Sequence, residues 1–163
     1  MTEAPDWFAE PFSSDGAVNW PLARQWVADM HLALRAQLGP DAWTDEQAGW
    51  LGRLVHDALG FQGVMLTQAT PADLDDLLYT LLPASDQALP GSPAAALRAL
   101  RALYSHGAQQ VGSMQAAAAL AWLEPEAREV TLGRALGREP SVPKRSERRL
   151  PRRKKKNRRR NRG

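Results

Sequence analysis

Residues 44–60, TDEQAGWLGRLVHDALG, decide the fold class. Thr44 and Gln47 stand at the spacing of a capping box: the threonine oxygen accepts an early backbone N–H, and the glutamine reaches back to the cap's own N–H. Behind this pair Trp50, Leu51, Leu54, Val55 and Ala58 recur every three or four residues and so share one face of a helix. The spacing predicts a helix to about Leu59, closed by Gly60.

The same grammar extends in both directions. Upstream, a helix starts near Trp20 with Pro21 at its first position, where the missing N–H has no cost. Ala23, Trp26, Val27, Met30, Leu34 and Leu38 form its apolar stripe, and Gly39-Pro40 end it. Downstream, Phe61 to Gln68 is a short apolar stretch that reads as an extended connector or one stray strand. Thr70-Pro71-Ala72-Asp73 opens a third helix with Leu74, Leu77, Leu78, Leu81 and Leu82 on one face, running until Pro83. PASDQALPGSP, residues 83–93, is a loop by composition. Ser92 caps a fourth helix whose Leu97, Leu100, Leu103 and Tyr104 face inward and which Gly107 ends. Ser113 begins an alanine-rich fifth helix reaching about Glu124, and Pro125 starts a short sixth that fades near Gly137.

The fold class expected is therefore all-α: a single compact bundle of five to six helices over residues 20–137, with an irregular arm at 1–19 and a tail at 138–163. Trp7, Phe8 and Phe12 of the arm are expected to dock on the body. Of the six tryptophans, Trp26, Trp50 and Trp122 are assigned to the core, and Trp7, Trp20 and Trp43 to its edges.

The chain has 163 residues, enough for one domain with a sizeable core. It has no cysteine, which excludes disulfides, thiolate metal sites and cysteine nucleophiles. Its opening, MTEAPDWFAEPF, lacks the pattern of a secretory signal, and Ala116 to Leu123 is too short to span a bilayer; a soluble cytoplasmic protein is expected. The net charge of +3 conceals a split. From residue 144 onward 13 Lys or Arg face the single acid Glu147, a net of +12. Residues 1–143 hold 8 basic and 17 acidic residues, a net of −9. All four lysines lie in the tail, and the body uses arginine alone.

That tail is the first candidate for chemistry. Lys144, Arg145, Arg148, Arg149, Arg152, Arg153, Lys154, Lys155, Lys156, Arg158, Arg159, Arg160 and Arg162 form a dense run of positive charge with little to bury. Such a run repels itself, is expected to be disordered when unbound, and binds phosphate backbones through counterion release. Arginine adds bidentate phosphate contacts and base stacking, which favours RNA over DNA as the partner. Asn157 and Asn161 offer hydrogen bonds to bases or sugars, while no aromatic interleaves the charges. A solubilising tail and an anionic membrane surface are the competing readings.

Elsewhere the residues read as structural. His31 borders the first helix's stripe, His56 points to solvent with its neighbour Asp57 facing another way, and His106 falls in a last helical turn, where a partly cationic ring suits the dipole. Asp73, Asp75 and Asp76 cluster in a first turn without the glycine and distal glutamate of a calcium loop. No nucleophile–base pair, phosphate loop or metal-ligand spacing is present, so neither an enzyme nor a metal or other cofactor is expected. The expected function is non-enzymatic nucleic-acid binding. The alternative is a protein-interaction adaptor using a Trp/Leu-lined surface of the helical body, with the tail as solubiliser.

A helix ending in Leu81-Leu82-Pro83, a polar loop, the Ala96–Leu100 core running to Gly107, and an alanine-rich helix ending in Leu123-Glu124-Pro125-Glu126 follow one another over Leu74 to Leu136. In that order of features the stretch resembles the helical region of uncharacterised bacterial proteins that accompany or carry a SEC-C zinc module. The resemblance implies a helical bacterial cytoplasmic protein and transfers no active residue. The zinc module's cysteines are absent, and the basic tail stands in its place.

Overall fold

The computed structural model describes residues 3–125 and 127–137, and these form an all-α bundle without a strand ladder. The basic segment 138–163, with its expected disorder and every phosphate-binding candidate, lies outside the described residues.

Helix α1 is Trp20–Leu38. Asn19 caps it, its side chain accepting from Leu22 N–H, so Trp20 takes the first helical position and Pro21 the second. An N–H at that position would have no helical acceptor, so the donor that proline lacks is not missed. Helix α2, Asp45–Asp57, opens on the expected box: Thr44 Oγ1 accepts from Gln47 N–H at 3.2 Å and Gln47 Oε1 from Thr44 N–H at 2.9 Å. Helix α3 begins at Pro71–Asp76 under an equivalent box of Thr70 and Asp73. Helices α4, Pro93–His106, and α5, Met114–Leu123, are capped by Ser92 and Ser113. Helix α6 is Ala127–Ala135.

Three helices contain a widened turn in which N–H groups bond back five residues, and two of them continue through it past their expected ends. Helix α2 runs through Ala58–Gln62 and stops at Gly63, not Gly60. Helix α4 runs through Gly107–Val111 and stops at Gly112, not Gly107. At both ends the glycine takes a positive φ, 65° and 75°, a conformation that side chains with a Cβ disfavour. Helix α3 widens at Leu77–Leu81, and Leu82 N–H donates to Leu77 O immediately before Pro83. A proline ring crowds the carbonyl four residues earlier, and the wider turn relieves that clash. The segment between α2 and α3 holds a short 3-10 turn, Leu66–Gln68, rather than a strand.

Helix α4 is the hub. Ala95, Ala96, Leu97, Ala99, Leu100, Leu103 and Tyr104 are all buried, because alanine lets α2 and α5 approach closely on either side. Tyr104 donates its hydroxyl to Leu66 O at 2.7 Å, tying the inter-helix segment to the core. Burial pushes its phenol well above the ordinary value. Arg101 donates through Nε and Nη2 to Leu123 O and so caps the C-terminal end of α5.

The expected stripes of α2 and α4 are buried throughout. On α1, Ala33 joins the core while Leu38 is exposed; on α3, Leu81 is only partly buried. The tryptophans are redistributed. Trp7, Trp26, Trp43 and Trp50 are core residues, whereas Trp122, expected inside, is only partly buried, with Arg128 stacked 4.0 Å over its ring. Trp43 is fully enclosed and donates its indole N–H to His31 Nδ1 at 2.9 Å. Trp7 of the arm inserts beside Gly107, where a Cβ would collide with the indole. Phe12 packs against the core as expected, but Phe8 stays exposed.

Candidate functional site

Between α1 and α2 lies a cleft of about 560 Å³. One wall is Trp20, Ala23, Arg24 and Val27, successive turns of one face of α1. The other is Gly52, Arg53, Val55 and His56 of α2, with Gln87 closing one end. Gly52 holds the floor open: a Cβ there would already meet Val27 Cγ1 at 3.7 Å.

Two polar arrangements shape the cleft. Arg53 donates through Nε to Asp57 Oδ2 at 2.8 Å, through Nη2 to Ser85 Oγ at 2.8 Å and through Nη1 to Ala88 O at 3.2 Å. Both side chains of this ion pair are almost withdrawn from water, and the remaining guanidinium donors fasten the 85–92 loop beside the cleft. A buried pair of this kind is held by the hydrogen bonds that surround it as much as by its charges. Glu46 fastens the loop's far end by accepting from Ser92 N–H at 2.6 Å. In the second arrangement the His56 ring stacks on Trp20, centroids 4.7 Å apart and planes inclined by 27°.

His56 is exposed as expected, but it does not turn away from its neighbour: Nδ1 lies 3.3 Å from Asp57 Oδ1. The expected independence fails because Asp57 is held inward by Arg53, which leaves its second oxygen toward the imidazole. With Nδ1 in that contact, Nε2 is the nitrogen left for a ligand.

The sign of the cleft is its distinguishing property. In a body that carries a net −9, no carboxylate lines this surface, and its ionisable lining groups are Arg24, Arg53 and His56. Arg53 is neutralised by Asp57; Arg24 is exposed at the rim. The arrangement suits a flat, partly apolar group carrying negative charge.

The other sequence candidates are dispersed. His31 accepts from Trp43, and His106 is buried with Nδ1 2.9 Å from Gln37 Oε1. Because α4 continues beyond it, His106 is no longer at a helix end, and loss of solvent holds its pKa below the ordinary histidine value rather than favouring a cation. Asp73 spends its carboxylate on Thr70 N–H at 2.9 Å, and Asp76 Oδ2 lies 3.4 Å from Gln62 Nε2. Among the described residues no group of three His, Asp or Glu is placed to hold a metal ion. No helix among them is long and apolar enough to cross a membrane.

Sequence reasoning missed the cleft. Its traces were there: a glycine inside a strong helical pattern at Gly52, and Arg53 four residues before Asp57. What those traces omit is that α1 and α2 pack with these particular faces together. No family model, no curated protein and no solved structure matches this chain.

Proposed function

We propose that the protein is a non-enzymatic nucleic-acid-binding protein that holds phosphate backbones through the basic residues of 144–162 and prefers RNA to DNA. The observation that carries this reading is the partition of charge: a net +12 in the last twenty residues against −9 in the rest. Clustered Lys and Arg gain affinity for phosphate by releasing condensed counterions, while an acidic body is repelled by the same polyanion. Contact is thereby confined to the tail and to whatever part of the body is not acidic. The adaptor alternative loses some of its material, since Trp7, Trp26, Trp43 and Trp50 are buried. Its remaining material is the exposed apolar set Leu22, Leu32 and Leu38 on α1 with Phe8, Phe61, Val111, Met114 and Val130 elsewhere, a set that contains no tryptophan.

The test is fluorescence anisotropy of the full chain and a 1–143 truncation against structured RNA and duplex DNA at low and physiological salt. Engagement of roughly six phosphates gives a slope of log K against log salt of about −4 to −5. Binding that needs the tail and falls at that slope supports the reading. A flat salt response, or equal binding by both versions, overturns it. A partner retained by the truncation after nuclease treatment would favour the adaptor.

A further inference from the structure

We propose that the cleft between α1 and α2 receives one unstacked nucleobase with its phosphate, making it a second contact for the nucleic acid whose backbone the tail holds; this rests on the function proposed above.

Three observations converge on that occupant. The Trp20–His56 stack supplies an aromatic platform, and a base can extend such a stack whatever its sequence. Val27 and Gly52, both partly exposed, contribute apolar or side-chain-free surface suited to a flat ring rather than a solvated chain, over a floor backed by the buried Ala23 and Val55. Arg24 at the rim, with no carboxylate on the lining, offers a charge-assisted partner for one phosphate in a body otherwise hostile to anions. The sequence continues for 26 residues beyond Gly137, and a chain of that length has a contour of roughly 85–95 Å. The tail lacks aromatics, and the cleft supplies the stacking surface it lacks. The same base–phosphate chemistry is found in a free mononucleotide, and the two sources are separable by experiment.

The full-length protein is titrated by anisotropy against a labelled single-stranded RNA of about twelve nucleotides, within the usual footprint of a stacking site, and a blunt duplex of similar length. Two variants accompany it: Gly52→Leu, which fills the cleft from its floor, and Trp20→Leu, which removes the platform. Circular dichroism melts show that each keeps its fold. Both variants are expected to bind the single strand about tenfold or more weakly and the duplex within about twofold of the parent, because a duplex presents phosphates but no unstacked base. Unchanged single-strand affinity in both variants, or an equal loss on both RNAs in folded variants, overturns the proposal. Adenosine monophosphate, titrated into the unaltered protein and read at the His56 ring protons, tests the cleft without the tail. Saturable shifts that Gly52→Leu abolishes support the cleft, and no shift with no single-strand preference overturns it. If the intact chain binds neither RNA, the tail reading fails, and the mononucleotide alone then decides the cleft.

Discussion

His106 shows how a single residue acquires a measurable role from its surroundings. Its ring is enclosed beside Trp7, centroids 6.1 Å apart, and desolvation depresses its folded pKa below the ordinary 6.5. In the window between that depressed value and 6.5 the unfolded chain binds the proton and the folded chain does not, so stability rises with pH there. Above 6.5 both states are neutral and the full contribution is present; as pH falls below 6.5 it is lost, down to the folded pKa. Urea unfolding midpoints between pH 7.5 and 5 should therefore fall on acidification, and His106→Gln should flatten that fall. Gln37, whose amide carries a donor as well as an acceptor, can still pair with the introduced glutamine, which keeps the comparison one of charge. An unaltered pH slope in the variant would assign the acid sensitivity to other groups.

At the scale of elements, helix starts were legible and two helix ends were not: α1 stops at Gly39 and α5 at Glu124 as expected, whereas α2 and α4 run past Gly60 and Gly107. A cap is a local chemical statement: Thr44 with Gln47, Thr70 with Asp73, Ser92 and Ser113 each supply an oxygen at a fixed offset from the N–H they satisfy. An end depends on which of several glycines reaches the left-handed region, and 60–63 and 107–112 each contain two. The sequence pattern places the stop at the first of each pair, yet Gly60 packs under Trp20 Cη2 and Gly107 under Trp7, both within the helix. Tertiary contact thus drew the helices onward through widened turns to Gly63 and Gly112. The cleft was illegible for a related reason, since each of its walls is half of an interface that neither helix encodes alone. Paired substitutions check the assignment at α2. Gly63→Ala, forced to a φ of 65°, should cost about 1–2 kcal/mol in denaturant unfolding. Gly60→Ala should be neutral or stabilise by up to about 1 kcal/mol, its Cβ in ordinary contact 3.5 Å from Trp20. The reverse ranking would restore Gly60 as the terminator.

Across the whole molecule, the opposition of an acidic body and a basic tail sets how a polyanion is met. Asp15, Asp41, Asp75 and Asp86 are exposed carboxylates on four separate segments. They supply four of the negative charges in the body's net −9, and their field opposes the approach of any phosphate the tail draws in. If the body acts by repulsion, replacing these four aspartates with asparagine should raise RNA affinity several-fold at low salt. The gain should shrink at ionic strengths near 1 M, where the screening length falls to about 3 Å. The slope of log K against log salt should stay close to its original value, because the number of phosphates engaged by the tail has not changed. Stopped-flow association separates this from new contacts: repulsion relieved at a distance appears in the association rate, whereas added contacts slow dissociation. A gain that persists at high salt, or that appears only in dissociation, would mean the carboxylates border the bound nucleic acid rather than hold it at arm's length. The cleft between α1 and α2 would then be expected to lie on the same bound face as those aspartates.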